Sequence, residues 1–241
     1  MATFVLIHSG FSGGWIWQAV SQHLLRRGHN VYCPSLTGHG ERVHLSTPQV
    51  DLNTQIEDIV GVLYYEDLHD VILVGHSAGI MATVGAAERE ADRIAHLVYF
   101  DTLIPKDGKS WNDMLVPSAA ETLTNLALKE GEGWYIPASA MPVPNPRFTP
   151  QLLKPCTQPI AIRNAEAVKI PRSFIYCSEK EPGWFYGHNS SIQAAAAEAR
   201  ALGWDYYELP TIHGAMFTMP DEVADLLIFI AQKTITTKQN V

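Results

Sequence analysis

Gly75-His76-Ser77-Ala78-Gly79 is the stretch whose residue types and spacing speak most directly of chemistry. A serine set between two glycines in this pattern fits a tight turn that lifts its hydroxyl clear of the backbone. The four residues Val71-Ile72-Leu73-Val74 before the motif read as a buried parallel strand. Ile80 to Glu90, behind it, is rich in Ala, Met and Glu and suits a helix. A serine on such a strand-to-helix turn is a nucleophile for acyl transfer. Glycine at 75 and 79 removes the Cβ atoms that would collide around the strained turn.

A serine hydroxyl attacks poorly until a base takes its proton. Ten histidines are present, so position decides between them. His213 lies on a loop just after the last expected strand, in Thr211-Ile212-His213-Gly214-Ala215-Met216, and is the predicted base. His8 and His76 sit within or beside motifs and read as loop-orienting residues. His23, His29, His69 and His96 read as surface or strand-end residues, and His39 and His44 fall in a polar loop. The tetrahedral intermediate also needs N–H donors. Ala78, directly after the serine, is one, and Gly10, in the glycine-rich loop after the first strand, is the other.

These residues need a scaffold. Strands are expected at 3–8, 30–33, 71–74, 95–100, 172–177 and 204–209. Helices are expected at 15–27, 54–65, 80–90, 190–202 and 221–232. Thr54 with Glu57 reads as a capping box opening the second helix. Strand alternates with helix six times, which specifies a mostly parallel α/β sheet of about six strands with helices on both faces. Ligands bind at the carboxyl ends of such strands. Ser9 and Gly10, Ser77, Asp101, Ser178 to Glu181 and His213 all follow strands and converge on that edge.

Between Leu103 and Lys169 prolines recur and short helical patches alternate with extended pieces. This reads as an inserted helical cap, about residues 104–169, in a single domain spanning 1–241. Trp111, Met114, Leu115, Trp134, Tyr135, Met141 and Phe148 supply its apolar surface. Met114, Leu115, Trp134 and Phe148, with Ser9 from the first loop, are the expected substrate contacts. Trp184-Phe185-Tyr186 is expected to extend the same wall.

With 241 residues, 46% hydrophobic and 17% charged, the chain has material for one substantial core. A net charge of −8 argues against nucleic-acid and anionic-membrane partners. No apolar run is long enough to span a bilayer. The amino terminus carries no basic region before its first strand, so no secretory leader is expected and the location is read as cytoplasmic. Cys33, Cys156 and Cys177 show no pairing pattern and suit reduced thiols that pack as small hydrophobes. No His-Glu-x-x-His or carboxylate-histidine cluster stands at ligand spacing, so no metal and no cofactor is expected.

Leu6-Ile7-His8-Ser9-Gly10, Gly13-Gly14-Trp15, Leu36-Thr37-Gly38-His39-Gly40-Glu41-Arg42, Gly75-His76-Ser77-Ala78-Gly79 and His213-Gly214-Ala215-Met216 together resemble the α/β-hydrolase superfamily. The resemblance is to its bacterial esterase-like branch, related to plant methylesterases and hydroxynitrile lyases. It runs over nearly the whole chain and is weakest in the cap. It implies the α/β-hydrolase fold, a helical cap, a Ser-His-acid triad without cofactor, and the roles of Ser77, His213, Gly10 and Ala78. There are departures. Ser9 stands where the branch has glycine and the lyases have threonine. Gly214 stands where the lyases have lysine. Ser178-Glu179-Lys180 replaces the run in which plant relatives carry their acid, so a lysine occupies the aspartate's place.

The acid is therefore the open question. Glu179 and Glu181 follow the strand that bears it in the plant relatives. Lys180 between them has the composition of a solvated turn. Asp101 directly follows the apolar run Leu97 to Phe100. A half-buried carboxylate there needs a partner, and His213 is available, so Asp101 is preferred over Glu179 and Glu181. The reading is a carboxylesterase acting on small apolar or aromatic esters through an acyl-enzyme. A hydroxynitrile-lyase-like carbon–carbon lyase and a low-turnover ligand receptor are its rivals. The partner expected is the small-molecule ester, and a homodimer is compatible with it.

Overall fold

The computed structural model describes residues 1–180 and 188–239. Six strands, β1 (Thr3–Ile7), β2 (Asn30–Tyr32), β3 (Val71–His76), β4 (Ile94–Phe100), β7 (Arg172–Cys177) and β8 (Asp205–Leu209), form one sheet in the order β2-β1-β3-β4-β7-β8. Every pairing in it is parallel. All residues of β3 and β4 are buried, as expected for central strands covered on both faces. The expected α/β architecture and the elbow strand are therefore both present.

Helices cover both faces. On one side α1 (Gln18–Arg26), α9 (Ala215–Thr218) and α10 (Pro220–Gln239) pack with Trp17, Val20, Leu24, Met216, Val223 and Leu227 against Leu6, Val74 and Phe100. On the other, α2 (Leu52–Tyr65), α3 (Ile80–Arg89) and α8 (His188–Ala201) contribute Ile56, Ile59, Met81, Val84 and Ile192 to a core with Val5, Leu73 and Phe174. The second helix starts earlier than expected. Asp51, not Thr54, is its cap: the Asp51 carboxylate accepts from the Thr54 N–H at 2.9 Å, and the Asp51 N–H donates back to the Thr54 hydroxyl. Glu57 is instead paired with Arg89.

The segment between β4 and β7 contains α4 (Trp111–Met114), α5 (Pro117–Glu130), the hairpin strands β5 (Tyr135–Ile136) and β6 (Gln151–Leu152), α6 (Leu153–Thr157) and α7 (Ala165–Lys169). Pro117 opens α5 at its first turn, where a missing N–H costs nothing. The hairpin pairs Tyr135 with Leu152 and Ile136 with Gln151.

Sheet register brings the functional residues together. Ile7 lies beside Gly75, Gly75 beside Tyr99, and His76 beside Phe100. The three central strands therefore end level, and Ser9, Ser77 and Asp101 leave the sheet at one edge. Phe100 pairs with Ile175 and Cys177 with Leu209, so the loops carrying Lys180 and His213 emerge beside them.

One histidine reading is corrected. His96 is a core residue, 3% exposed, between Ser173 and Thr234. Thr234 gives its proton to the Ile230 carbonyl, so His96 Nδ1–H donates to Thr234 and Nε2 accepts from Ser173. His39 lies in its loop as expected, and is buried there.

Candidate active site

Ser77 directly follows β3 with φ 52, in the left-handed region that L-residues rarely adopt. The two glycines are needed for different reasons. A Cβ on Gly79 would lie 2.2 Å from the His8 carbonyl oxygen. One on Gly75 would lie 2.6 Å from the Thr83 hydroxyl and against Ile80. Thr102 Oγ1 donates to the Ser77 carbonyl at 2.6 Å and pins the strained residue from the β4 side. Ser77 keeps 6% of its surface, facing a cavity.

His213 Nδ1 lies 2.6 Å from Asp101 Oδ2. Asp101 is fully buried, and its Oδ1 accepts from the Cys177 N–H at 3.0 Å. Burial alone would raise this carboxyl. The His213 hydrogen bond and the Lys180 ammonium outweigh it and hold Asp101 at about 2. A carboxylate on Nδ1 fixes the His213 tautomer and leaves Nε2 as the basic nitrogen. His76 braces the same loop. Its Nε2–H donates to the His213 carbonyl at 3.1 Å, and the two rings lie 4.5 Å apart. Burial pushes His76 well below the ordinary histidine range, so it stays neutral.

Lys180 departs from its reading as part of a solvated turn. Its side chain is 16% exposed and its Nζ lies 2.6 Å from Asp101 Oδ1. Glu179 is exposed, and its backbone N–H bonds the Thr211 carbonyl. Glu181 and Trp184-Phe185-Tyr186 lie outside the described residues.

The loop after β1 is held from below by His8. Its Nδ1–H donates to the Ser9 carbonyl at 2.7 Å and its Nε2 accepts from the Leu36 N–H at 3.0 Å. Burial lowers His8 to about 4, so this tautomer holds at neutral pH. Ser9, Gly10 and Ala78 line the same cavity as Ser77 and His213.

The cavity measures about 60 Å³. Its apolar wall is Phe11, Trp111, Leu123, Ile136 and Met141; Gln151, Cys156 and His188 complete it. Four expected contacts lie elsewhere. Met114 and Leu115 border an outer groove with Val116 and Ala194, because α4 turns only Trp111 inward. Trp134 packs edge-on against Tyr135, and its indole N–H bonds Glu132. Phe148 rests on Trp15. Ser9 is the expected contact that does border the cavity. His188 was not anticipated. It faces the Trp111 ring at 5.2 Å and the His213 ring at 6.3 Å, and burial lowers it to about 3. Cys156 is a buried thiol pushed up to about 12, which fits packing rather than reactivity. Among the described residues no group of three His, Cys, Asp or Glu is placed to hold a metal. Nor, among them, is any helix long and apolar enough to cross a membrane.

The family model described as the alpha/beta hydrolase family matches residues 4–226. A carbendazim hydrolyzing esterase from Nocardioides sp. (strain SG-4G) is 33% identical over 244 residues, covering 94% of this chain and 98% of that protein. An (S)-hydroxynitrile lyase from Manihot esculenta is 31% identical over 109 residues, covering 43% of this chain and 41% of that protein. Among solved structures, an extracellular alpha/beta-hydrolase from a Paenibacillus species superposes with a TM-score of 0.76 at 24% identity, covering 96% and 99% of the two chains.

Proposed function

The chain belongs to the alpha/beta hydrolase family, and on that premise we propose that it is a serine carboxylesterase for small, largely apolar or aromatic esters. The observation that carries the reading is the 2.6 Å contact of His213 Nδ1 with Asp101, beside a strained Ser77 that opens on the same cavity. The full-length likeness to an esterase named for hydrolysing carbendazim supports the ester class.

Ser77 Oγ attacks the ester carbonyl while His213 Nε2 takes its proton. Asp101 stabilises the imidazolium without itself taking that proton. The N–H groups of Gly10 and Ala78 receive the oxyanion. As the intermediate collapses, the carbonyl–oxygen bond to the alcohol breaks and His213 returns the proton to the leaving oxygen. Water, deprotonated by His213, then attacks the acyl-serine, and the carboxylic acid departs. The cavity beside Ser77 is walled by Phe11, Trp111, Leu123, Ile136 and Met141, which supports a small acyl group against an aromatic and aliphatic wall. The insertion at 104–169 acts as the cap of a single domain and keeps this space dry.

The test is release of p-nitrophenol from short acyl esters by the wild type and by Ser77→Ala. Ser77→Ala lowers turnover by roughly six orders of magnitude where chemistry is rate-limiting. A Ser77→Ala enzyme as active as the wild type removes the reading. Binding of ester analogues with negligible turnover by the wild type would favour the receptor.

A further inference from the structure

We infer that Gln151, carried by the insertion that covers the site, is a positioning residue of the oxyanion loop. The inference rests on the esterase reading and adds a residue to it.

Phe11, directly after Gly10, has φ 61 and so sits in a conformation its own sequence disfavours. Such a residue persists only where its surroundings over-determine it. Here both of its backbone groups are gripped by one neighbouring segment. Its N–H donates to Gln151 Oε1 at 3.2 Å, and its carbonyl accepts from the Thr149 N–H at 2.8 Å.

The Gln151 amide has one orientation. Its Nε2 group donates to the Leu152 carbonyl at 3.1 Å and to Cys156 Sγ at 3.2 Å. A carbonyl accepts only from the amide's nitrogen, so the oxygen must face Phe11. Gln151 is 6% exposed, and the hairpin and α6 fix its backbone. Gly10 is matched to it: a Cβ there would lie 2.6 Å from Gln151 Oε1.

The consequence for catalysis is direct. The Gly10 carbonyl and the Phe11 N–H belong to the same peptide unit. Holding that unit fixes ψ of Gly10, the torsion that a residue without Cβ leaves loosest. His8 already holds the Ser9–Gly10 unit through the Ser9 carbonyl, so the Gly10 residue whose N–H receives the oxyanion is clamped from both sides, by His8 before it and by Gln151 after it. Preorganised donors stabilise a transition state because they need no reorientation when charge develops. The oxyanion hole is thus completed by the cap rather than by the sheet edge alone.

The test compares the wild type with Gln151→Met, which keeps length but loses the acceptor, and Gln151→Asn, which keeps the amide but shortens its reach. Three quantities are read: kcat and KM for p-nitrophenyl acetate, the inhibition constant of an aryl trifluoromethyl ketone that adds to Ser77, and hydrogen exchange of the peptide spanning residues 9–14. Both variants are expected to lose about tenfold or more in kcat with KM little changed. Ketone affinity should fall in proportion to kcat/KM, and the Phe11 amide should exchange faster. A purely structural glutamine would lower Tm without moving ketone affinity. Variants with wild-type kcat and wild-type ketone affinity overturn the proposal. If Gln151→Met does not fold, Gln151→Asn decides on the same readouts. A wild type that neither cleaves the ester nor binds the ketone defeats the esterase reading instead. The exchange measurement still tests the latch in that case: unchanged exchange in Gln151→Asn overturns it.

Discussion

Lys180 Nζ lies 2.6 Å and 2.8 Å from the two carboxylate oxygens of Asp101. The same carboxylate receives His213, so one buried acid joins a lysine after β7 to a histidine after β8. Lys180 is the residue that takes the place the resemblance gives to the plant relatives' acid.

Lys180→Met removes the ammonium but leaves Asp101 its contacts to His213 and the Cys177 N–H. A loss of about 1–3 kcal/mol follows, the range for a hydrogen bond to a buried charge. The pH dependence has a definite sign. Asp101 is held at about 2, below its ordinary 3.8. Its contribution is therefore complete above pH 3.8 and is lost as pH falls towards 2. In Lys180→Met the native value lies closer to 3.8, so the loss still begins near pH 3.8 but is smaller and is complete at a higher pH. Chemical denaturation from pH 6 to pH 2 checks this; superimposable curves would exclude a stabilising role for the pair.

Asp101→Asn should lower kcat by up to roughly four orders of magnitude, because the amide favours the wrong His213 tautomer. Glu179→Gln should cost less than about tenfold, about 1.4 kcal/mol, because Glu179 is exposed and anchored through its backbone. Steady-state kinetics on a short p-nitrophenyl ester ranks the two. The reverse order would move the acid to the β7 loop.

The neutral buried histidines predict acid lability. His8 and His96 are lowered to about 4, and His39 and His188 to about 3. The unfolded chain binds their protons first, so their stabilisation is present above pH 6.5 and drains away as pH falls towards 4 and then 3. His96 lies outside the cavity lining and isolates one share. His96→Gln should flatten the stability slope between pH 6.5 and 4 by up to about 1.4 kcal/mol per pH unit. Urea titrations across that range measure it, and an unaltered slope would mean His96 is not proton-linked to folding.

How much of this was legible follows the range of the interactions. The elbow is local: strand, serine, two glycines and helix lie within twenty contiguous residues of sequence. His213 and Asp101 were legible because each follows a strand, and a parallel sheet gathers strand ends. Lys180 was misread because its partner lies 79 residues away, and composition alone made its neighbours look solvated. The segment between β4 and β7 was the least legible. Apolar type selected Met114, Leu115, Trp134 and Phe148, but Met114 and Leu115 close a helix of only four residues, and Trp134 and Phe148 lie outside helices and strands, so no periodicity says which side chain turns inward. Gln151 and His188 carried no such signal: a polar residue in a loop-rich segment looks exposed until the fold buries it.

Cyanohydrin cleavage should be weak. Cyanide departs as an anion and needs a cation near the base. Gly214 follows His213, and the Lys180 ammonium is bound to both oxygens of Asp101. Cyanide release from mandelonitrile should stay near the uncatalysed background under conditions where ester hydrolysis is readily measured. Efficient release would favour the lyase.

The central claim is a nucleophilic Ser77, and covalent labelling tests it most directly. A fluorophosphonate probe, followed by intact-mass analysis and peptide mapping, should add one label per chain on the peptide containing Ser77. Ser77→Ala should take up none. Undiminished labelling of Ser77→Ala, or a label mapped to another residue in the wild type, would contradict the account.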